Sequence, residues 1–205
     1  MRRSILLLWA SVALLAGCQA KPQQPSNREL WYDARWPYAL VQANLYELAA
    51  YDTVDGVERW RYRREQPPAP PFGHYPVPTV ICRPVWMASQ NIVLRYADGL
   101  HVITADKGEL LWSQDVPFRG HCPTVTPDSG IVMIVEHGGR LQKWAGDGRI
   151  LWHHDFWETG HAIAQPIVVE PSGDTLIRTA KFLLNISPDG RRNWVAPTRG
   201  APESG

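Results

Sequence analysis

The side chains equipped for chemistry are two cysteines and a scatter of histidines. Cys82 and Cys122 hold nearly equivalent places in consecutive repeats, two residues before Pro84 and one before Pro123. In an oxidising compartment such a pair favours a disulfide between neighbouring first strands, provided the backbone geometry permits it. Two free thiols and a thiolate metal site are the alternatives. Histidines stand at 74, 101, 121, 137, 153, 154 and 161. His121 beside Cys122, or His153 and His154 with Asp155 and His161, would present imidazole and thiolate groups of the kind copper and zinc take. No pair has the spacing of a tight metal motif, and histidines on turns and strand ends of a surface account for all of them. No metal, cofactor or catalytic residue is therefore assigned. No Gly-rich phosphate loop, Gly-x-Ser-x-Gly or His-Glu-x-x-His sequence occurs either.

The elements that must carry these residues are written in a repeat. Gly56, Gly108, Gly148 and Gly190 each precede a tryptophan by four residues, namely Trp60, Trp112, Trp152 and Trp194. Around each glycine two apolar runs flank an Asp-Gly or similar turn, the strongest local hairpin signal, because the favoured turns need positive φ. The units containing Trp112, Trp152 and Trp194 each read as four short strands, for example 124–126, 131–136, 141–145 and 149–152. The tryptophans at 60, 112, 152 and 194 recur at intervals of 52, 40 and 42 residues. A period near forty with four strands per unit predicts β-propeller blades. One blade cannot bury both faces of its sheet, so blades must stack, with a flat tryptophan at a fixed position between them. The expected fold is all-β, a propeller of about four four-stranded antiparallel blades, closed as a small ring or left as an open arc. Residues 30–48 read equally as a short amphipathic helix or as irregular strand.

Composition agrees. The 205 residues include 18 prolines, 16 glycines and ten tryptophans, which suits short strands and frequent turns better than helices. A net charge of +1 gives no general pull towards nucleic acid or an anionic membrane. Residues 1–17 form a charged n-region, an apolar run and a small-residue cleavage site, a signal peptide too short to span a bilayer comfortably. The ending Leu15-Ala16-Gly17-Cys18 resembles the bacterial lipobox, which implies acylation (palmitate) of Cys18. Gln19 in place of aspartate implies the outer membrane. Residues 18–27 read as a polar tether, and 28–205 as the propeller domain.

Ala50-Tyr51-Asp52, followed by Gly56 and Trp60, resembles the PQQ-like propeller repeat. The family includes quinoprotein dehydrogenases and non-enzymatic lipoproteins such as the propeller subunit of the outer-membrane barrel assembly machinery. The dehydrogenases carry a larger ring and commonly an adjacent Cys-Cys pair, which this sequence lacks. Family propellers usually have seven or eight blades, against three full units and a partial first one here.

The resemblance implies a non-enzymatic lipoprotein, anchored in the outer membrane and facing the periplasm, that docks another envelope protein. Aromatics on exposed loops supply the candidate partner face: Phe72, His74 and Tyr75 in the proline-rich stretch, and Phe156 with Trp157. An arc pairing with a second copy into a larger ring is a further expectation. The alternatives are a redox accessory or enzyme-like protein binding a quinone, copper or zinc, and a truncated remnant of a longer propeller.

Overall fold

A computed structural model describes residues 30–44, 46–65, 82–96, 99–116 and 121–198. The signal peptide, the tether, Cys18, and the loop bearing Phe72, His74 and Tyr75 lie outside the described residues. The fold is a β-propeller: four antiparallel four-stranded sheets in which the strands of each blade follow one another in sequence. Blade 1 holds β1 (Leu30–Tyr32), β2 (Tyr38–Asn44), β3 (Glu47–Asp52) and β4 (Glu58–Arg63). Blade 2 holds β5 (Val85–Trp86), β6 (Asn91–Arg95), β7 (Gly99–Thr104) and β8 (Leu110–Asp115). Blade 3 holds β9 (Thr124–Val125), β10 (Ile131–Val135), β11 (Arg140–Trp144) and β12 (Ile150–Asp155). Blade 4 holds β13 (Ile167–Val169), β14 (Asp174–Arg178), β15 (Phe182–Ile186) and β16 (Arg192–Pro197). The described part of the undecided stretch 30–48 therefore forms β1, β2 and the start of β3, with a turn between the first two, and the first unit is a complete blade. Its aromatic and β-branched residues suit a sheet covered on one face by a neighbour.

Hydrophobic patterning follows from stacking. A middle strand of an interior blade is covered on both faces, so strict alternation gives way to continuous apolar sequence. In β10 every residue of Ile-Val-Met-Ile-Val is buried. The outer strands keep one face open, and β12 alternates exposed and partly buried positions.

All four blades share a register irregularity at the same place, between Ala50 and Tyr51, Val102 and Ile103, Lys143 and Trp144, or Asn185 and Ile186, and blade 1 has a second between Gln42 and Asn44. Opposite the shared one the outer strand places its tryptophan. The extra residue of a bulge increases the local twist and re-aims its neighbour. The turns leading into these strands fall in two lengths. Asp52 N–H bonds to Val57 and Thr104 N–H to Glu109, but Ala145 N–H bonds to Arg149 and Ser187 N–H to Arg191. The longer turn thus belongs to blades 1 and 2 together.

Three apolar clusters join the blades in series. One unites Trp31, Leu40 and Trp60 of blade 1 with Trp86, Leu94 and Ile103 of blade 2. The second joins Val93, Leu100 and Val102 to Ile131, Met133 and Trp144. The third joins Val132, Ile134 and Leu141 to Ile177, Leu184 and Ile186. Among the described residues no such cluster joins blade 4 to blade 1, so the four blades form an open arc.

Candidate functional site

The junction between blades is built from one tryptophan, one carbonyl and one glycine. Trp60 Nε1 donates to the Ala105 carbonyl, Trp112 Nε1 to Gly146 and Trp152 Nε1 to Pro188, each at 2.8 Å. In each case the acceptor lies in the β-turn of the following blade. The indole ring then lies on that turn's glycine. A Cβ added to Gly108, Gly148 or Gly190 would fall 2.8 Å from Cδ2 of Trp60, Trp112 or Trp152 respectively. The same glycines have positive φ, +69°, +88° and +88°. Glycine is required twice over, by the turn and by the close approach of the ring.

Strand pairing shows what surrounds each tryptophan. In blade 1 the row across the sheet is Trp31, Leu40, Ala50, Trp60. In blade 2 it is Val85, Val93, Val102, Trp112. In blade 3 it is Thr124, Val132, Lys143, Trp152. Blade 4 carries the matching row Ile167, Leu176, Asn185, Trp194. Here the expectation of four docked tryptophans fails at the last one. Trp194 is 43% exposed and Ile167 63% exposed, because no following blade packs against this face among the described residues. At the other end, Gly56 has the docking turn and φ of +69°, but among the described residues nothing lies within 4 Å of its added Cβ.

Blades 2 and 3 are additionally pinned by a disulfide between Cys82 and Cys122, with Cα atoms 5.6 Å apart. The equivalent placement of the two cysteines in their repeats is what brings them together. Between blades 3 and 4 a lysine whose ion pair lies within blade 3 also reaches a turn carbonyl of blade 4. Lys143, buried in the tryptophan row, donates from Nζ to Asp128 Oδ2 at 2.7 Å and to the Pro188 carbonyl at 3.4 Å. Burial pushes the Asp128 carboxyl up, yet Lys143, the Thr126 hydroxyl and the Gly130 amide together hold it below the usual carboxylate range. A depressed carboxylate stabilises the fold above its unfolded pKa of about 4, and the effect fades as pH falls through the lower folded value. The stability difference between wild type and Asp128→Asn is thus expected to be full above that pH and to close on further acidification. Urea midpoints along a pH series check this; a constant gap would refute it.

Between blades 1 and 2 the Tyr62 hydroxyl and His101 Nδ1 share a hydrogen bond of 2.6 Å, and burial raises the Tyr62 pKa to about 12. Among the described residues the remaining histidines do not assemble a site. His153 and His154, being consecutive in β12, project to opposite sheet faces. Burial, then Arg192, pulls the His154 pKa down. Asp155 is engaged by Arg140. Among the described residues no three His, Cys, Asp or Glu side chains converge as a metal site. A cavity of about 390 Å³ opens where the inner strands meet, and Arg35, Trp36, Trp86, Thr124 and Glu170 are among the residues lining it, so all four blades contribute.

The family described as outer membrane protein assembly factor BamB matches residues 77–204, more than half of the chain. The chain belongs to that family. Among solved structures, BamB from Moraxella catarrhalis superposes with a TM-score of 0.59 at 13% identity, covering 82% of this chain and 52% of that one. Streptogramin B lyase superposes with a TM-score of 0.57 at 12% identity, covering 84% of this chain and 54% of that one. This chain spans about half the length of each. No match was found among the curated proteins. The fold hosts both an assembly factor and a lyase, so it does not by itself assign chemistry. Within this BamB-family chain the family match covers blades 2 to 4, and blade 1 joins them by the same tryptophan row and the same bulge.

The BamB-family blades also revise the partner face read from sequence. Phe156 is 3% exposed and packs in the cluster between blades 3 and 4 with Leu141, Ile177 and Leu184, so it is a core residue and not a surface anchor. It follows the end of β12, where alternation no longer tells inside from outside. Trp157 begins a short 3-10 turn, Trp157–Thr159. Exposed aliphatic pairs that the sequence reading passed over lie on the outer strands, Leu110 with Leu111 and Ile150 with Leu151. They precede the tryptophans and read locally like core.

Proposed function

We propose that the chain is a non-enzymatic scaffold, lipid-anchored through Cys18 in the outer membrane and facing the periplasm, whose propeller docks another envelope protein. The observation that carries this reading is the family match to the assembly factor over residues 77–204. It is supported by the lipobox-like Leu15-Ala16-Gly17-Cys18 at the end of the apolar run. The partners assigned are an envelope protein, at a face that includes Phe72, His74, Tyr75 and Trp157, and a second copy of the chain at the open blade ends. No cofactor is required by this role.

The test is co-purification of crosslinked complexes from cells producing the tagged full chain. Trp157→Ala is expected to lower recovery of the envelope partner severalfold with an unchanged melting temperature, and Cys18→Ala to move the chain out of the membrane fraction. Undiminished recovery with Trp157→Ala, or a stoichiometric metal or quinone in the purified protein, would overturn the reading.

A further inference from the structure

We infer that the two open ends of the arc are halves of one interface, so that two copies join head to tail, with Trp194 of each seated on the Gly56 turn of the other. The inference deepens the reading above at its second-copy partner and rests on it there.

The three internal junctions supply the template. In each, a tryptophan at the end of a four-residue row donates to a turn carbonyl and covers a positive-φ glycine in the next blade. Blade 4 presents the donor half unfilled, with Trp194 43% exposed and Ile167 63% exposed at the two ends of its row. Between them Asn185 already has both ends of its amide engaged, by Asp174 at 3.4 Å and Asn193 at 2.7 Å. Covering this face therefore strands no amide group.

Blade 1 presents the acceptor half unfilled. Its turn is the turn of blade 2, hydrogen bond for hydrogen bond. Gly56 N–H bonds to Asp52 as Gly108 N–H bonds to Thr104, both at 3.0 Å. Thr53 N–H bonds to Pro37 as Ala105 N–H bonds to Gln90. The Thr53 carbonyl is thus the counterpart of the Ala105 carbonyl that accepts from Trp60, and the space over Gly56 is empty. The sheet face behind this turn offers apolar surface at Leu30, 65% exposed, and Tyr32, 49% exposed.

Donor and acceptor halves sit on opposite ends of one arc, so Trp194 leaves the Gly56 turn of its own chain unfilled. A second copy related by a two-fold axis along the channel satisfies both ends at once, and a head-to-tail contact that closes after two copies gives a finite ring. Two arcs of four blades make eight, in keeping with a chain spanning about half of the BamB it resembles.

The test uses the full chain in detergent. Sedimentation equilibrium is expected to show two chains per particle, and Trp194→Ala to weaken self-association roughly thirtyfold or more, the scale of an interface hot spot, with an unchanged circular dichroism spectrum. Circular dichroism checks that the variant stays folded, since loss of association by itself lowers the melting temperature at a given concentration. A benzophenone amino acid at position 194, in a mixture of isotope-labelled and unlabelled copies, is expected to crosslink between copies to residues 52–57. A monomeric wild type, crosslinks from 194 to residues of its own chain such as 1–29 or 199–205, or crosslinks to a different protein would each overturn the inference. Failure here is separable from failure of the docking role, because capture of the envelope partner is scored independently by Trp157→Ala.

Discussion

Gly108→Ala is expected to destabilise the protein by about 2 to 4 kcal/mol, and Gly56→Ala by only about 1 kcal/mol, although both residues sit in the same turn. Both have φ of +69°, so each alanine meets the same left-handed backbone penalty, partly offset by a stiffer unfolded chain. The difference lies above the turn. At Gly108 the new Cβ meets the ring of Trp60, held in place by its bond to Ala105, whereas at Gly56 it meets open space. Comparing the two in a Trp194→Ala background keeps any second copy from filling the space at Gly56. Equal urea midpoints for the two variants would mean that the tryptophan does not depend on a bare glycine to dock.

Replacing both cysteines, Cys82→Ser with Cys122→Ser, is expected to lower stability by about 4 kcal/mol, the chain-entropy value for a loop of this size. The bridge spans a sequence separation of 40 residues and ties the inner end of blade 2 to that of blade 3. The pair is replaced together, so that no lone thiol remains to exchange. Chemical unfolding of oxidised, reduced and double-serine protein reads the effect. Reduced and double-serine samples are expected to agree with each other and fall below the oxidised form. An unchanged midpoint would show that the three apolar clusters hold the arc without the covalent link.

Both effects begin in residues whose spacing is plain in the sequence, and both draw their size from contacts that are not. Glycine four residues before tryptophan, turn residues between apolar runs and a period near forty are local signals, because a turn is decided by the φ its own residues can adopt and a strand by the alternation of its own side chains. They suffice for three blades of four strands, for the repeat hairpin of a first, partial one, and for the equivalence of Cys82 and Cys122. They fail where the covering surface comes from elsewhere. Residues 30–48 lack clean alternation because inner and outer strands of blade 1 face different neighbours. Phe156 follows a strand end, so nothing beside it in sequence tells that blade 4 closes over it. Leu110 and Leu111 resemble core residues but stand about half exposed on an outer strand.

The tryptophans mark the division most sharply. Sequence alone determined that Trp60, Trp112, Trp152 and Trp194 occupy one structural position, since each follows a turn glycine at the same distance. Only the tertiary structure decided that three of them are docked and one is not. Docking joins a side chain of one blade to a carbonyl and a glycine at least 34 residues further on, and it depends on whether another blade stands there. No periodicity within a repeat carries that information, which is why Trp194 and Gly56 look like their counterparts in the sequence and stand open in the fold.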